Sequence, residues 1–270
     1  KKMQIAGVIS YSPTEFGPIV HQGNFEEGFQ FLSRLGYEGV EISIRDPKEI
    51  DAKKLSQALK KNNLTLTGIA TGQAVFKDGL TFTNSNENIR QAAIQRIQAQ
   101  IDLAAEYLAP VLVGLIRGSL PKGEEREKAL QWSIEALREC ADYAKTKNTT
   151  ICIEIINRYE VNYLNTIAEG IDYLKEVNRN NVLLQIDTFH MNIEEPSLSN
   201  SILTAGKFIG YVHFADSNRW APGYGHIDFP PLVAALKEVG FSGFITLEVL
   251  PLPDAATAAK MGIEAVRKML

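Results

Sequence analysis

Four ionisable residues stand at or near the ends of four successive apolar runs in the second half of the chain. The run ICIEI places Glu154 near its C-terminal end, LLQID ends on Asp187, YVHF carries His213, and ITLEV carries Glu248. A lone charged side chain in an apolar strand is costly to bury unless it is paired or binds a metal. A private salt bridge to a nearby arginine explains any one of them equally well. It is a poor explanation for four at matching positions, which together make a candidate metal centre. Three carboxylates and one imidazole form a hard, oxygen-rich set. Such a set suits Mn²⁺, with Mg²⁺ or Co²⁺ as alternatives, and water or substrate filling an octahedron. The chain lacks a Cys-x-x-Cys, a common mark of closed structural zinc sites.

The stretch YVHFADSNRWAPGYGH (211–226) adds to this picture, because it holds two of the four histidines in the chain. A run that delivers His213 to its tip is followed by a loop carrying Asp216, Arg219, Trp220, Gly223, Gly225 and His226. Trp220 is expected to wall a pocket. His226 is equally readable as a site neighbour or as a loop residue, and His21 reads as a surface residue.

Delivering four side chains to one face requires parallel strands of one sheet. Eight β-like runs alternate with helical runs, at residues 4–10, 39–44, 65–70, 111–115, 150–155, 182–186, 209–214 and 244–249. The first helical segment, 24–35, has Asn24 as its N-cap and Gly36 closing it. A second spans 51–62. A third runs from 84 to about 107, with Asn84 and Glu87 spaced as a capping box. Others follow at 124–147, 166–177, 198–205, 231–239 and 254–270. The β-like runs are almost continuously apolar, as expected when both faces are covered. The predicted fold is α/β, a single (β/α)8 TIM barrel over residues 1–270, close to the usual size of about 250 residues. A doubly wound sheet would want a glycine fingerprint after the first strand, and Ser10-Tyr11-Ser12 offers none.

Composition excludes several classes. At 45% hydrophobic and 22% charged the chain is of ordinary globular type, and a formal charge of −4 speaks against a nucleic-acid or anionic-membrane partner. No apolar run approaches the roughly 20 residues needed to span a bilayer. The short run after Lys1 and Lys2 is well under a signal-peptide core. Cys140 and Cys152 are expected to be buried thiols in a cytoplasmic protein.

Four motifs, EIINRYE (154–160), DTFHMN (187–192), VHFADSNRWAPG (212–223) and LEV (247–249), resemble the sugar isomerase/epimerase family with the xylose-isomerase-like barrel, and its D-tagatose 3-epimerase branch in particular. The resemblance covers essentially the whole chain. It implies that Glu154, Asp187, His213 and Glu248 hold one divalent metal and that Glu154 and Glu248 double as the acid/base pair. It also implies that Glu160, His190 and Arg219 contact substrate. Epimerising the carbon next to a ketone requires removing a proton from one face and returning one to the other, which two carboxylates flanking the substrate plane can do.

Arginines near the strand ends bear on the substrate. Arg45 follows the second run and Arg117 the fourth, with Arg158 and Arg219 further on. A neutral ketohexose needs no extra guanidinium, whereas a sugar acid does. The combination RDP, TGQA, LIRG, FHMN and DSNRWAPG resembles the branch interconverting 5-keto-L-gluconate and D-tagaturonate, with Arg45 and Arg117 expected at the carboxylate. Alternatives are a neutral ketohexose 3-epimerase or a hydroxypyruvate-type aldose–ketose isomerase. An abasic-site endonuclease would want more histidines and a basic surface, and a silent sugar-binding barrel would not need the Glu154/Glu248 pair. The expected partner is a small sugar or sugar acid, with a homodimer or homotetramer as the family habit.

Overall fold

The computed structural model describes residues 2–270. Its strands are β1 (Gln4–Ser10), β2 (His21–Gln22), β3 (Gly39–Ser43), β4 (Thr65–Ala70), β5 (Val111–Val113), β6 (Ile151–Glu154), β7 (Val182–Asp187), β8 (Ile209–Phe214) and β9 (Phe244–Leu247). Every pairing is parallel, and β1 pairs β9 from Gln4↔Phe244 to Gly7↔Leu247, which closes the sheet into an eight-stranded barrel. The two-residue β2 lies outside that circuit. It pairs Ile9 and Ser10 at the tip of β1, just beyond the reach of β9.

Among the described residues ten α-helices surround the barrel: α1 (Phe25–Leu35), α2 (Ala52–Asn62), α3 (Gln73–Asp78), α4 (Glu87–Ala105), α5 (Glu125–Thr146), α6 (Ile167–Val177), α7 (Thr188–Glu194), α8 (Leu198–Ala205), α9 (Phe229–Glu238) and α10 (Ala255–Met269). This is the (β/α)8 TIM barrel expected from the alternation of runs. Most of the apolar core lies between strands and helices, with Phe29, Ile42, Ile97, Leu137, Ile186 and Val266 all fully buried. A second, smaller cluster of Leu112, Cys152 and Tyr211 also forms. The Tyr211 hydroxyl bonds Thr67 Oγ1 at 2.8 Å and accepts from Thr246 Oγ1 at 3.1 Å, so its burial leaves no unpaired group. Both cysteines are buried free thiols, and burial pushes both up in pKa. No helix of the described residues is long and apolar enough to cross a membrane.

Local signals explain most boundaries. Asn24 Oδ1 accepts from Glu26 N at 3.1 Å at the start of α1, and Gly36 ends it at φ +88°. The expected capping box at Asn84 and Glu87 is absent. Asn84 Oδ1 instead accepts from Asn86 N, and Asn86 caps α4 through Asn88 N, both at 2.9 Å. The first asparagine builds the turn and the second starts the helix. A true capping box opens α6, from Thr166 and Glu169. The fourth strand is shorter than expected and stops at Val113, because Gly114 leaves β conformation at φ −100°, ψ −109°. A Cβ there would lie 2.7 Å from Glu154 Oε2, so a glycine is needed for the carboxylate to fit.

Candidate metal and active site

The four strand-tip residues meet at one place. Glu154 and Asp187 are the last residues of β6 and β7, His213 is the penultimate residue of β8, and Glu248 directly follows β9. One ligand atom from each lies within 4.8 Å of all the others. His213 Nδ1 faces the carboxylates, 3.8 Å from Glu154 Oε1, 3.7 Å from Asp187 Oδ2 and 3.4 Å from Glu248 Oε2. The ring is held in that orientation from behind. Its Nε2 lies 2.6 Å from Oε2 of Glu41, a fully buried carboxylate on β3. Glu41 thus accepts the Nε2 proton and turns Nδ1 toward the carboxylates, where Gln185 Nε2 also lies 3.2 Å away.

Asp187 divides its oxygens between two tasks. Oδ1 accepts from Phe189 N at 2.8 Å and caps α7, the helix that begins where β7 ends. Oδ2 is buried without a hydrogen bond and faces His213 and Arg219. The capped helix carries His190 back over the cluster. His190 Nδ1 lies 2.8 Å from Asn157 Nδ2, which can only donate, so the other ring nitrogen carries the proton. That Nε2 lies 3.7 Å from Glu154 Oε1 and 3.8 Å from Asp187 Oδ2. Asn157 also donates to Glu160 Oε1 at 3.1 Å, placing Glu160 at the outer edge of the same cleft.

Arg219 reaches in from the loop after β8. Its Nη1 is 3.0 Å from Asp187 Oδ2, its Nη2 donates to Glu248 Oε2, and the guanidinium lies over the Phe189 ring at 4.5 Å. The backbone of Arg219 is left-handed, at φ +65°, an uncommon conformation for a long side chain. Buried Asp216 holds the loop in this shape. It accepts from the backbone N–H groups of Ser217, Gly223 and Ile227 at 2.7, 2.8 and 3.0 Å. A Cβ on Gly225 would sit 2.3 Å from Asp216 Oδ1, and Gly223 has φ +97°, so both glycines are required by the turn.

The electrostatics fit a bound cation. Burial, then the neighbouring Glu248, pushes the Glu154 carboxyl well up. Burial raises Glu248 and Asp187 too, but His213 and Arg219 outweigh it for Glu248, and Arg219 with the two histidines for Asp187, leaving both low. Burial opposes the charge on His213, yet Glu41 and Glu248 hold its pKa well above the usual range. Burial lowers His190 to about 4, so it is a neutral donor near pH 7. Three carboxylates crowded around one imidazole, two of them buried and Glu154 partly so, form a donor set that a divalent ion would satisfy. Glu154, Asp187, His213 and Glu248 are the residues that would hold it.

A cavity of about 340 Å³ opens above the cluster, lined by Glu154, Glu160, His190, His213, Arg219 and Glu248 among others. Two expected substrate residues do not line it. Arg45 turns outward to Asp78, with Nη2 2.6 Å from Oδ1, and to Glu49 at 3.7 Å. Arg117 is fully buried, donating to the backbone carbonyls of Glu154 at 2.6 Å and Tyr163 at 3.2 Å. The carbonyls at the end of β6 and in the following loop need donors, and this guanidinium supplies them. Arg158 pairs with Glu194 at 2.8 Å. Trp220, expected as a pocket wall, does not line the cavity. His226 is exposed, and only its backbone N–H is engaged, with Ser217 Oγ. His21 Nε2 contacts the Asn24 carbonyl at 2.7 Å. Residues given no site role from sequence are Glu41, Asn157, Ser43 and Gln73. Glu41 had a signal, since it too is a lone carboxylate in an apolar strand.

Comparison with known proteins agrees with this geometry. Residues 29–269 match the family model described as xylose isomerase-like TIM barrel. An L-ribulose 3-epimerase from Methylomonas sp. (strain DH-1) is 36% identical over 219 residues, covering 80% of this chain and 75% of the relative. A D-psicose 3-epimerase from Agrobacterium fabrum is 28% identical over 241 residues, covering 87% of this chain and 79% of the relative. The crystal structure of a D-allulose 3-epimerase from Methylomonas sp. in complex with D-allulose superposes with a TM-score of 0.85 at 28% identity, covering 100% of this chain and 98% of that one. With ketose 3-epimerases as relatives along most of its length, the chain belongs to the xylose isomerase-like TIM-barrel family and is an isomerase of its epimerase group.

Proposed function

We propose that the protein is a divalent-metal-dependent sugar epimerase that inverts the carbon next to a keto group. The observation that carries this reading is the convergence of Glu154, Asp187, His213 and Glu248 within 4.8 Å, with Glu154, His213 and Glu248 at the floor of a cavity that also receives Arg219 and His190. A divalent cation held there by Glu154, Asp187, His213 and Glu248, for which Mn²⁺ is our choice over Mg²⁺ or Co²⁺, would supply Lewis-acid polarisation of the substrate. Glu154 and Glu248 stand at the two ends of the four-strand arc, so they approach a bound sugar from different sides. One takes the proton from the reacting carbon and the other returns one to the opposite face. The neutral Nε2–H of His190 and the Arg219 guanidinium are donors for the oxygens that gain charge. Glu160, at the rim, accepts from a substrate hydroxyl.

The test is solvent exchange in D2O with the Mn²⁺-loaded protein. Deuterium should enter the carbon whose configuration changes while the ketone stays in place. Label accompanying an aldose product would indicate the aldose–ketose isomerase instead. Exchange from no ketose or keto-uronate, with any of the three metals, would overturn the reading.

Within this activity we propose 5-keto-L-gluconate and D-tagaturonate as the substrate pair, supported by the RDP, TGQA, LIRG, FHMN and DSNRWAPG motifs together. A neutral ketohexose is the second reading. It is favoured by one observation: Arg219 is the only Lys or Arg lining the cavity among the described residues, and it is already paired with Asp187 and Glu248. Comparing kcat/KM for the keto-uronate and the neutral ketohexose decides between the two.

A further inference from the structure

Across the mouth from the charged cluster, the barrel is finished with neutral polar side chains. Ser10 and Ser43 are register partners at the tips of β1 and β3. Gln73, the first residue of α3, reaches both: its Nε2 donates to Ser10 Oγ at 2.7 Å and to Ser43 Oγ at 2.8 Å. Ser10 Oγ passes its proton to the Ser12 carbonyl, and Ser12 Oγ donates to Gln73 Oε1 at 3.3 Å. Ser10, Ser43 and Gln73 are all buried, and the latter two line the cavity.

The hydrogen-bond accounting is almost closed, and what remains open is informative. Ser43 Oγ accepts from Gln73, which turns its own O–H away from the amide, and that O–H has no acceptor among the described residues. Gln73 Oε1 has only the long bond from Ser12, leaving acceptor capacity. A donor and an acceptor therefore stand together on the cavity wall. A wall needed only for packing would be apolar at this depth, because buried polar groups without full partners destabilise. On the proposed epimerase reading the cluster on the β6 to β9 side would hold the reacting end of a sugar, and its remaining carbons would extend toward β1 and β3.

We propose that Gln73 and Ser43 are specificity-determining residues that hold the oxygens at the sugar's distal end, the end away from the reacting carbon. The inference rests on the epimerase reading and adds to it the part of the cleft that senses substrate length and polarity. A terminal hydroxyl can accept from Ser43 and donate to Gln73 Oε1. A terminal carboxylate can accept from Ser43 Oγ.

The test uses the Mn²⁺-loaded protein and three substrates: a neutral ketohexose, the matching keto-uronate, and a ketotetrose that keeps the reacting carbon but ends one carbon beyond it. For Gln73→Leu, kcat/KM on the six-carbon substrates should fall about tenfold more than on the ketotetrose, mainly through KM. Ser43→Ala should show the same pattern at about fivefold, the size expected for one neutral hydrogen bond. Gln73→Glu should discriminate against the keto-uronate relative to the ketohexose by more than about tenfold, from like-charge repulsion. Equal losses on long and short substrates would overturn the proposal and make the network purely structural. An unaltered uronate-to-ketohexose ratio in Gln73→Glu would overturn it as well. If the metal-loaded wild type turns over none of the three, it is the epimerase reading that fails, before any variant is compared. Metal content and a thermal midpoint matching the wild type separate loss of specificity from loss of fold.

Discussion

The two halves of the barrel mouth share a backbone and differ in chemistry. On β6 to β9 the last layer of side chains is Glu154, Asp187, His213 and Glu248, with Asp187 and His213 in direct register. On β1 and β3 the matching layer is Ser10 and Ser43, again in direct register, covered by Gln73. The first half gathers charge that only ion pairing or a metal can satisfy, and the second closes its hydrogen bonds almost entirely within itself. On the epimerase reading proposed above chemistry belongs to the charged half, and we assign substrate shape to the neutral one. Glu41 joins them: it starts from β3, in the layer below Ser43, and crosses the barrel to hold His213 at 2.6 Å.

If the division is sound, the largest effects come from the charged half. Glu248→Gln keeps the size of the side chain but removes the base, and kcat should fall by about 10²–10⁴-fold on every substrate, long or short. Losing activity on one substrate alone would place Glu248 in recognition instead of proton transfer. Stripping metal with a chelator should abolish exchange and lower the thermal midpoint. Adding Mn²⁺ at about 100 times its Kd should restore stability by about 2.7 kcal/mol if it binds only the folded state. An unchanged midpoint across that titration would count against a metal held by the four residues.

Glu41 is the next test, because it touches the cluster without being a candidate ligand. Glu41→Leu should weaken Mn²⁺ binding about 10- to 100-fold, with Glu41→Gln in between since it can still accept the Nε2 proton. Calorimetric titration of the metal reads this directly. Equal affinity in wild type and Glu41→Leu would mean that packing alone orients His213.

The charged half was legible in the sequence because ionisable residues interrupting apolar strands are conspicuous and burial makes them expensive. Glu154, Asp187, His213 and Glu248 could be read from their runs, and the structure brings them together. The neutral half was not legible, since a serine at a strand tip or a glutamine after a glycine looks like any polar loop residue. Only the convergence of Ser10, Ser43 and Gln73 in space makes them a unit. The short helices α3 and α7 were missed for a related reason. Each follows a strand end with little or no loop between, and α7 is capped by Asp187, a residue already read as a ligand. Arg45 and Arg117 show the opposite case. A guanidinium near a strand end is visible in sequence, but whether it meets substrate depends on what else is in reach. For Arg117 that is the row of carbonyls at residues 154, 163 and 164, and for Arg45 it is Asp78.

Those two arginines supply a graded pair of predictions. Arg117→Met should leave the carbonyls of Glu154 and Tyr163 without their donor, at about 1–3 kcal/mol for a buried unsatisfied group. The thermal midpoint should drop, and turnover of charged and neutral sugars should decline together, because Glu154 loses its backbone anchor. A selective loss on the keto-uronate would return Arg117 to a carboxylate clamp.

Arg45→Ala should have the smallest effect, and its character matters more than its size. Arg45 acts on Asp78, which ends α3, the same helix whose first residue is Gln73. Arg96 also holds Asp78, at 2.9 Å, so one anchor survives the substitution. The hydrogen bond from Arg45 and the nearby Arg96 keep the Asp78 carboxyl below its ordinary range despite partial burial. A carboxyl depressed in the folded state stabilises above its unfolded value of about 3.9 and loses that contribution as pH falls through the lower folded value. The anchor is therefore intact near neutrality, and in the Arg45→Ala protein the midpoint should begin to fall at a higher pH during acid titration. The uronate-to-ketohexose ratio should stay within about twofold of wild type, as for other partly exposed ion pairs. A collapse of that ratio in Arg45→Ala, with Gln73 variants showing none, would move recognition of the distal end from the Ser10–Ser43–Gln73 wall to the rim.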